Sequence, residues 1–218
     1  MIFELDNVEL YFKNKRILNG IYLKAETGKV TAILGRNGCG KSSLLNIAFG
    51  NLKPKYKLLR LNNKPLLKPL YKTKLVKYLP QYNFIPGGSK LNHMFRLFNV
   101  NWKLFIKEFE SFSKHEDLKF KQLSGGERRL IETYLILKTK SEITILDEPF
   151  SHLGPLYIEK ILQLIAEEKE HKAIIITDHL YKPIIEASDS IYLLKNGTTK
   201  EIHKLTELED YNYLSTNN

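Results

Sequence analysis

Apolar and polar positions partly alternate along Ile2 to Leu10 and again along Ile17 to Leu23, on either side of Lys13-Asn14-Lys15. A period of two puts one side of each segment in a core and the other in water, so the pair reads as a β-hairpin. Val30 to Leu34, Ile143 to Leu146 and Ala173 to Thr177 are short apolar runs, the pattern of strands buried on both faces. Lys41 to Phe49 has helical character and stops at Gly50. Between Lys90 and Ser113, Met94, Leu97, Phe98, Trp102, Phe105, Ile106 and Phe109 recur at spacings of three and four, which predicts a helical stretch. Ser124-Gly125-Gly126-Glu127 opens another helix. Its Ser-x-x-Glu form is a capping box, in which each end satisfies the other's free backbone donor. Pro155 starts a helix with Ile158, Ile161, Leu162 and Ile165 on one face. Ile191 to Leu194, Asn196-Gly197 and Thr198 to Ile202 read as a hairpin closed by a type I′ turn. The lysine-rich stretch from Leu52 to Val76, with Pro54, Pro65 and Pro69, reads as short strands and loops. Strands alternating with helices, and hairpins at both ends, predict a mixed α/β sheet.

Composition narrows the class. The 218 residues are 43% apolar and 27% charged, enough for a core without staples and unlike a disordered chain. A single cysteine, Cys39, excludes a disulfide scaffold. No apolar run approaches the roughly 18 residues of a membrane helix. Glu4 and Asp6 stand where a signal peptide would be basic and then apolar, so a soluble chain in a reducing compartment is expected. The net charge of +10 is unevenly placed. No acidic residue occurs between Thr27 and Lys107, a stretch with 16 basic ones, while the rest of the chain is net acidic. The basic half should attract a polyanion: a nucleotide, a nucleic acid or an acidic membrane surface. Solvated surface lysine is the plainer account of most of it. No RNA-binding pattern or zinc-finger spacing is present, so nucleic acid is not the expected partner.

Two motifs carry chemistry. Gly35-Arg36-Asn37-Gly38-Cys39-Gly40-Lys41-Ser42 fits G-x-x-x-x-G-K-S and lies between a strand and a helix. Glycines let the backbone curl so that its N–H groups converge as an anion nest, and the next helix adds its positive end. Lys41 is placed to reach the β- and γ-phosphates and the Ser42 hydroxyl to hold Mg²⁺. A plain glycine turn would not require all of these fixed positions in this context. Downstream, Ile143 to Leu146 runs into Asp147 and Glu148. One carboxylate suits Mg²⁺, and the next suits a general base for an attacking water. Alone, the pair would read as a solvated acidic turn; after a phosphate loop it does not.

From these residues the chain resembles an ABC-type ATPase, the nucleotide-binding domain of ATP-binding-cassette proteins. Leu123-Ser124-Gly125-Gly126-Glu127 matches the family's LSGGQ-type signature, with Glu last. Tyr78-Leu79-Pro80-Gln81 resembles the Q-loop, Asp147-Glu148-Pro149 the extended Walker B motif, Ser151-His152-Leu153 the start of the D-loop, and Thr177-Asp178-His179 the switch histidine. These motifs cover nearly the whole chain in the family's order. The resemblance implies a P-loop NTPase core with a mixed sheet, an N-terminal antiparallel β subdomain and a small helical signature subdomain. One domain is expected over 1–218, with the helical part at about 82–140. ATP and Mg²⁺ are the implied ligands. Phe12 would stack on adenine, Tyr11 being its neighbouring alternative. Asn37, Gly38, Cys39, Gly40, Lys41, Ser42 and Ser43 would hold the phosphates. Ser42, Gln81 and Asp147 would serve the metal. Lys41, Gln81, Glu148 and His179 would carry catalysis.

The resemblance further implies that Ser124, Gly125, Gly126 and Glu127 bind the ATP held by a second protomer, so a homodimer, or a heterodimer with another ABC subunit, is expected. The implied function is the ATP-hydrolysing subunit of a transporter, cytoplasmic and peripheral on the inner face of the cell membrane, driving separate permease chains. The alternative is a soluble ABC ATPase serving iron–sulfur assembly or nucleic acid. A groove for the permease would involve Met94, Phe95 and Phe98. Cys39 replaces the family's usual Ala or Ser, Ser43 the common Thr, and Gly154 the D-loop Asp. The interval from Gln81 to Ser124 is also short for the family.

Overall fold

Hydrophobic alternation sorts the chain onto two sheets. In the computed structural model, which describes residues 1–210, β1 (Ile2–Phe12) and β2 (Lys15–Glu26) pair antiparallel through the turn at Lys13 and Asn14. The domain expected over 1–218 thus ends in residues that lie outside the described ones. After β3 (Val30–Leu34) and α1 (Lys41–Phe49) come β4 (Tyr56–Leu61) and the short β5 (Lys64–Pro65). These last two join the first hairpin in a four-stranded sheet of order β2-β1-β4-β5.

The second sheet is built from β3, β6 (Val76–Leu79), β7 (Ile143–Asp147), β8 (Ala173–Thr177), β9 (Ser190–Lys195) and β10 (Thr198–Ile202). Its order is β10-β9-β3-β8-β7-β6. All neighbours are parallel except the closing β9–β10 hairpin. That hairpin turns at Asn196 and Gly197, both at positive φ, as the sequence requires.

The apolar runs are explained by two cores. Val30, Ala32, Leu34, Leu146, Ile174 and Ile176 face one hydrophobic cluster. The alternate residues Ile33, Ile143, Ile145 and Ile175 face the other, where α1 packs among the buried side chains of β1 and β2. A central strand buried on both faces cannot alternate apolar with polar. The first cluster takes in α4 (Gly125–Lys138), α5 (Pro155–Glu168) and α6 (Tyr181–Ala187); the short α7 (Thr206–Asp210) ends the described chain.

One expected element is different. The stretch Lys90 to Ser113 is not continuous but divides into α2 (Leu91–Leu97) and α3 (Trp102–Glu108), followed by a short 3₁₀ turn. Asn99 takes a left-handed φ of 55°, and the Asn101 side chain caps α3 by accepting from the backbone N–H groups of Lys103 and Leu104. Left-handed backbone ends a helix, and an Asn cap starts the next. The aromatic spacing survives the break because both pieces pack on α4: the rings of Phe95, Phe105 and Phe109 all contact Tyr134. Met94 and Phe95 lie in this core, 7% and 1% exposed, and so are not the open groove expected of them.

Candidate nucleotide-binding site

The carboxyl ends of four adjacent parallel strands deliver the site. β3 runs into the Gly35–Lys41 loop, β7 into Glu148, β8 into His179 and β6 into Gln81. In open α/β sheets, ligands sit beyond this edge. A cleft of about 610 Å³ opens there, lined by Phe12, Asn37, Gly38, Gly40, Lys41, Ser42, Ser43, Gln81, Glu148 and His179, as expected, and by Ile17, which was not. Ile17 belongs to a hairpin strand that reads locally as structure only. The loop and β2 are in close approach: a Cβ added to Gly40 would stand 3.1 Å from the Leu18 side chain and 3.3 Å from that of Ile17. Gly40 also has φ of 111°, a backbone region that other residues rarely adopt.

Lys41 Nζ donates to the carbonyls of Gly35 at 2.8 Å and Arg36 at 3.3 Å. This holds the ammonium over the loop at the start of α1, where backbone N–H groups favour an anion. Cys39 is not among the cleft-lining residues, and burial raises its thiol pKa. Thiolate is therefore scarce at neutral pH, which limits its reactivity.

Asp147 is 1% exposed. Ser42 Oγ donates to its Oδ1 at 3.2 Å and the Tyr78 hydroxyl to its Oδ2 at 3.3 Å. Burial outweighs these two bonds and pushes its pKa from 3.8 to about 6. The same burial, with Asp147 beside it, raises the Tyr78 hydroxyl. A hydroxyl and a carboxylate held together, with Gln81 lining the same cleft as Ser42, offer hard oxygen donors. These suit a small divalent cation that keeps water and phosphate for its other positions.

Without such an ion, the shift has a cost. Between pH 3.8 and about 6 the folded protein holds a proton that the unfolded chain has released, so this group lowers stability as pH rises through that window. Asp147→Asn should remove a penalty of up to about 3 kcal/mol at neutral pH and flatten that slope. Thermal melts from pH 4 to 7 in chelator check this; an unchanged slope would show that Asp147 is not the titrating group.

Glu148 is placed by three neighbours. Gln81 Nε2 donates to its Oε1 at 3.0 Å, Ser151 Oγ donates to its Oε2 at 3.1 Å, and His179 Nδ1 stands 3.7 Å from Oε2. His179 Nδ1 is also 3.1 Å from Asp178 Oδ1. Asp178 is itself anchored by the Phe150 and Leu180 backbone N–H groups.

The decisive scaffold residue, Arg129, carries no local signal. It sits on α4, 2% exposed, and donates to the carbonyls of Pro80 at 2.8 Å, Glu148 at 3.0 Å and Asp147. It thus ties the segment before Gln81 to the end of β7. Burial lowers its pKa without threatening the charge of a guanidinium.

Ser124, Gly125, Gly126 and Glu127, expected at the ATP of a second protomer, do not line the main cleft. The capping box is formed: Glu127 N–H donates to Ser124 Oγ at 3.2 Å and Ser124 N–H to Glu127 Oε2 at 2.8 Å. A Cβ on Gly126 would stand 2.5 Å from the His152 carbonyl, so only glycine lets α4 start this close to the turn after β7. Gly125 lines a second hollow of about 440 Å³ that shares Gln81 and Glu148 with the first.

A sequence model of the ABC transporter family matches residues 18–151, which contain the phosphate loop, the signature and both acidic residues. The chain belongs to the ABC transporter family. ATP-binding domains of this family are nucleotide-binding ATPases. Among relatives, the arabinose import ATP-binding protein of Mannheimia succiniciproducens is 30% identical over 93% of this chain, which spans 45% of that protein's length. A probable branched-chain amino acid transport ATP-binding protein of Methanocaldococcus jannaschii is 28% identical over 90% of the chain and 87% of its own length. An ABC transporter's ATP-binding subunit of known structure superposes with a TM-score of 0.83 at 20% identity, over 99% of this chain and 95% of that one. A nucleotide-free cassette gives 0.78 at 23% identity, over 98% and 96%. These likenesses establish the ABC ATPase fold, with its antiparallel subdomain and mixed sheet. Among the described residues, no helix is long and apolar enough to cross a membrane.

Proposed function

We propose that this chain hydrolyses ATP as the motor subunit of a membrane transporter and transmits the work to separate permease chains. One observation carries the reading: Lys41, Ser42, Gln81, Glu148 and His179, distant in sequence, line a single cleft. The Gly38–Ser43 backbone and Lys41 hold the phosphates, and Phe12, half exposed beside Ile17, offers its ring to adenine. Ser42 and Asp147, with Gln81, hold Mg²⁺, which supplies charge neutralisation for the developing phosphate oxyanions. Glu148 accepts a proton from water as that water's oxygen bonds to the γ-phosphorus. The bond to the β-bridging oxygen breaks, and ADP and phosphate leave. His179 and Gln81 position Glu148 and the γ-phosphate.

The signature residues, outside the main cleft, serve the ATP of a second protomer. They present α4's N-terminus to its γ-phosphate, so two copies, or this chain and another ABC subunit, close over two nucleotides. The stretch 82–140 is the subdomain that meets the permease, on the cytoplasmic face of the cell membrane. The transport names of the relatives support this direction over a soluble role. The test is twofold: purified chain should release phosphate only with ATP and a divalent cation, and the chain should co-purify with a multi-span membrane protein from solubilised membranes. No turnover with Mg-ATP removes the motor. Turnover without any such partner removes the transporter.

A further inference from the structure

The segment 51–77 carries nine basic residues and no acidic one. Arg60 is neutralised by Glu4 and Asp6, whereas the eight lysines make no ion pair among the described residues. Topology lays five of these lysines along one border. β5 is the outer strand of the four-stranded sheet and β6 the outer strand of the six-stranded sheet, so the chain from Lys64 to Leu79 runs from one free edge to the other. Lys64, Lys68, Lys72 and Lys74 on this run are exposed. Among them Leu67 stands 96% exposed, bracketed two residues away on each side by Pro65 and Pro69. Tyr71 is 43% exposed, rests against Phe49 with ring centres 5.7 Å apart, and has the Lys72 ammonium 5.9 Å from its own ring.

Uncompensated lysines ask for an anionic partner, and an open leucine asks for an apolar one. Nucleic acid meets the first demand and leaves Leu67 in water, because its bases stack on aromatic faces. An anionic bilayer meets both: headgroup phosphates take the ammonium groups, and the headgroup–acyl boundary takes leucine and tyrosine. We infer that the border from Lys64 to Lys77 is a contact surface for anionic lipid headgroups, with Leu67 entering the boundary. The surface lies outside the nucleotide cleft: none of its residues lines it. The inference goes beyond the transporter reading and does not depend on a permease.

The experiment is flotation of the full chain with permease-free vesicles, either phosphatidylcholine alone or with one third phosphatidylglycerol. Binding to the anionic vesicles only, weakening as salt rises, is expected. Lys64→Gln/Lys68→Gln/Lys72→Gln should lower the partition coefficient by roughly fivefold per lysine removed, up to about a hundredfold in all. Leu67→Ser should lower it about tenfold without changing the salt dependence. ATP turnover equal to the unaltered chain certifies that the variants are folded. Absent flotation, lysine variants that float like the parent, or tighter binding to an RNA or DNA oligonucleotide at the same salt overturns the inference. An unaffected Leu67→Ser variant overturns the insertion. A chain that hydrolyses ATP and fails to float fails here alone; one that floats without turnover fails only as a motor.

Discussion

Glu148→Gln is expected to abolish turnover while keeping ATP bound. The amide preserves size and most of the bonding around it: its oxygen can still accept from Gln81 Nε2, and the Ser151 hydroxyl can turn to accept from its NH₂ where it donates to Oε2 now. What disappears is the acceptor for the water's proton. General-base contributions of this kind are worth about 10²–10⁴ in rate, or roughly 3–5 kcal/mol of barrier. Phosphate release should fall by that factor with ATP affinity nearly unchanged. ATP that cannot be cleaved should then hold two copies together, so size exclusion with Mg-ATP should show a dimer that ADP does not support. Turnover within a factor of two of the parent would remove Glu148 from the base role. A monomer with tightly bound ATP would instead remove the sealed-dimer reading of the signature residues.

Arg129→Met should be the most damaging change outside the cleft. The side chain it replaces donates to three carbonyls, of Pro80, Asp147 and Glu148. Methionine fills similar volume and donates nothing. Orphaned buried acceptors cost about 1–3 kcal/mol each. Removing a desolvated cation returns part of that, leaving a net loss of about 2–4 kcal/mol. For a domain of this size that is a fall of roughly 5–15 °C in Tm. The surviving fold should also turn over slowly, since Gln81 follows Pro80 directly and the Glu148 carbonyl keeps only the longer bond from the Ser151 N–H, at 3.3 Å. We expect kcat to drop by at least tenfold with KM for ATP little changed, because the phosphate loop does not touch this residue. Arg129→Lys should recover little of either effect, as one ammonium cannot span three carbonyls in a planar fork. Calorimetry with steady-state kinetics on both variants checks this. An unchanged Tm with intact kcat would show that the carbonyls find other donors.

Much of the molecule is legible because its encoding is local. Gly38 and Gly40 curl the phosphate loop through their own left-handed φ of 77° and 111°, and Ser124 with Glu127 caps α4 within four residues. Asn196-Gly197 closes its hairpin by its own dihedral preference. The apolar runs of β3, β7 and β8 announce strands buried on both faces. Between Lys90 and Ser113, local signals conflict: the three-and-four spacing favours one helix, while Asn99 and Asn101 divide it. Periodicity dominates such a reading, because packing on a shared Tyr134 preserves the spacing across the break.

Sequence alone therefore determined the α/β class, the phosphate loop, the two carboxylates at the end of β7 and the order of the motifs, each a matter of backbone preference or pattern over a few residues. Only the tertiary structure decided that Ile17 lines the cleft, that Arg129 rather than its neighbour Arg128 locks β6 to β7, and that Asp147 is buried enough to shift its proton affinity. These facts depend on which distant strands are neighbours, and on how far water is excluded between them. Neither is a property of any short stretch of chain.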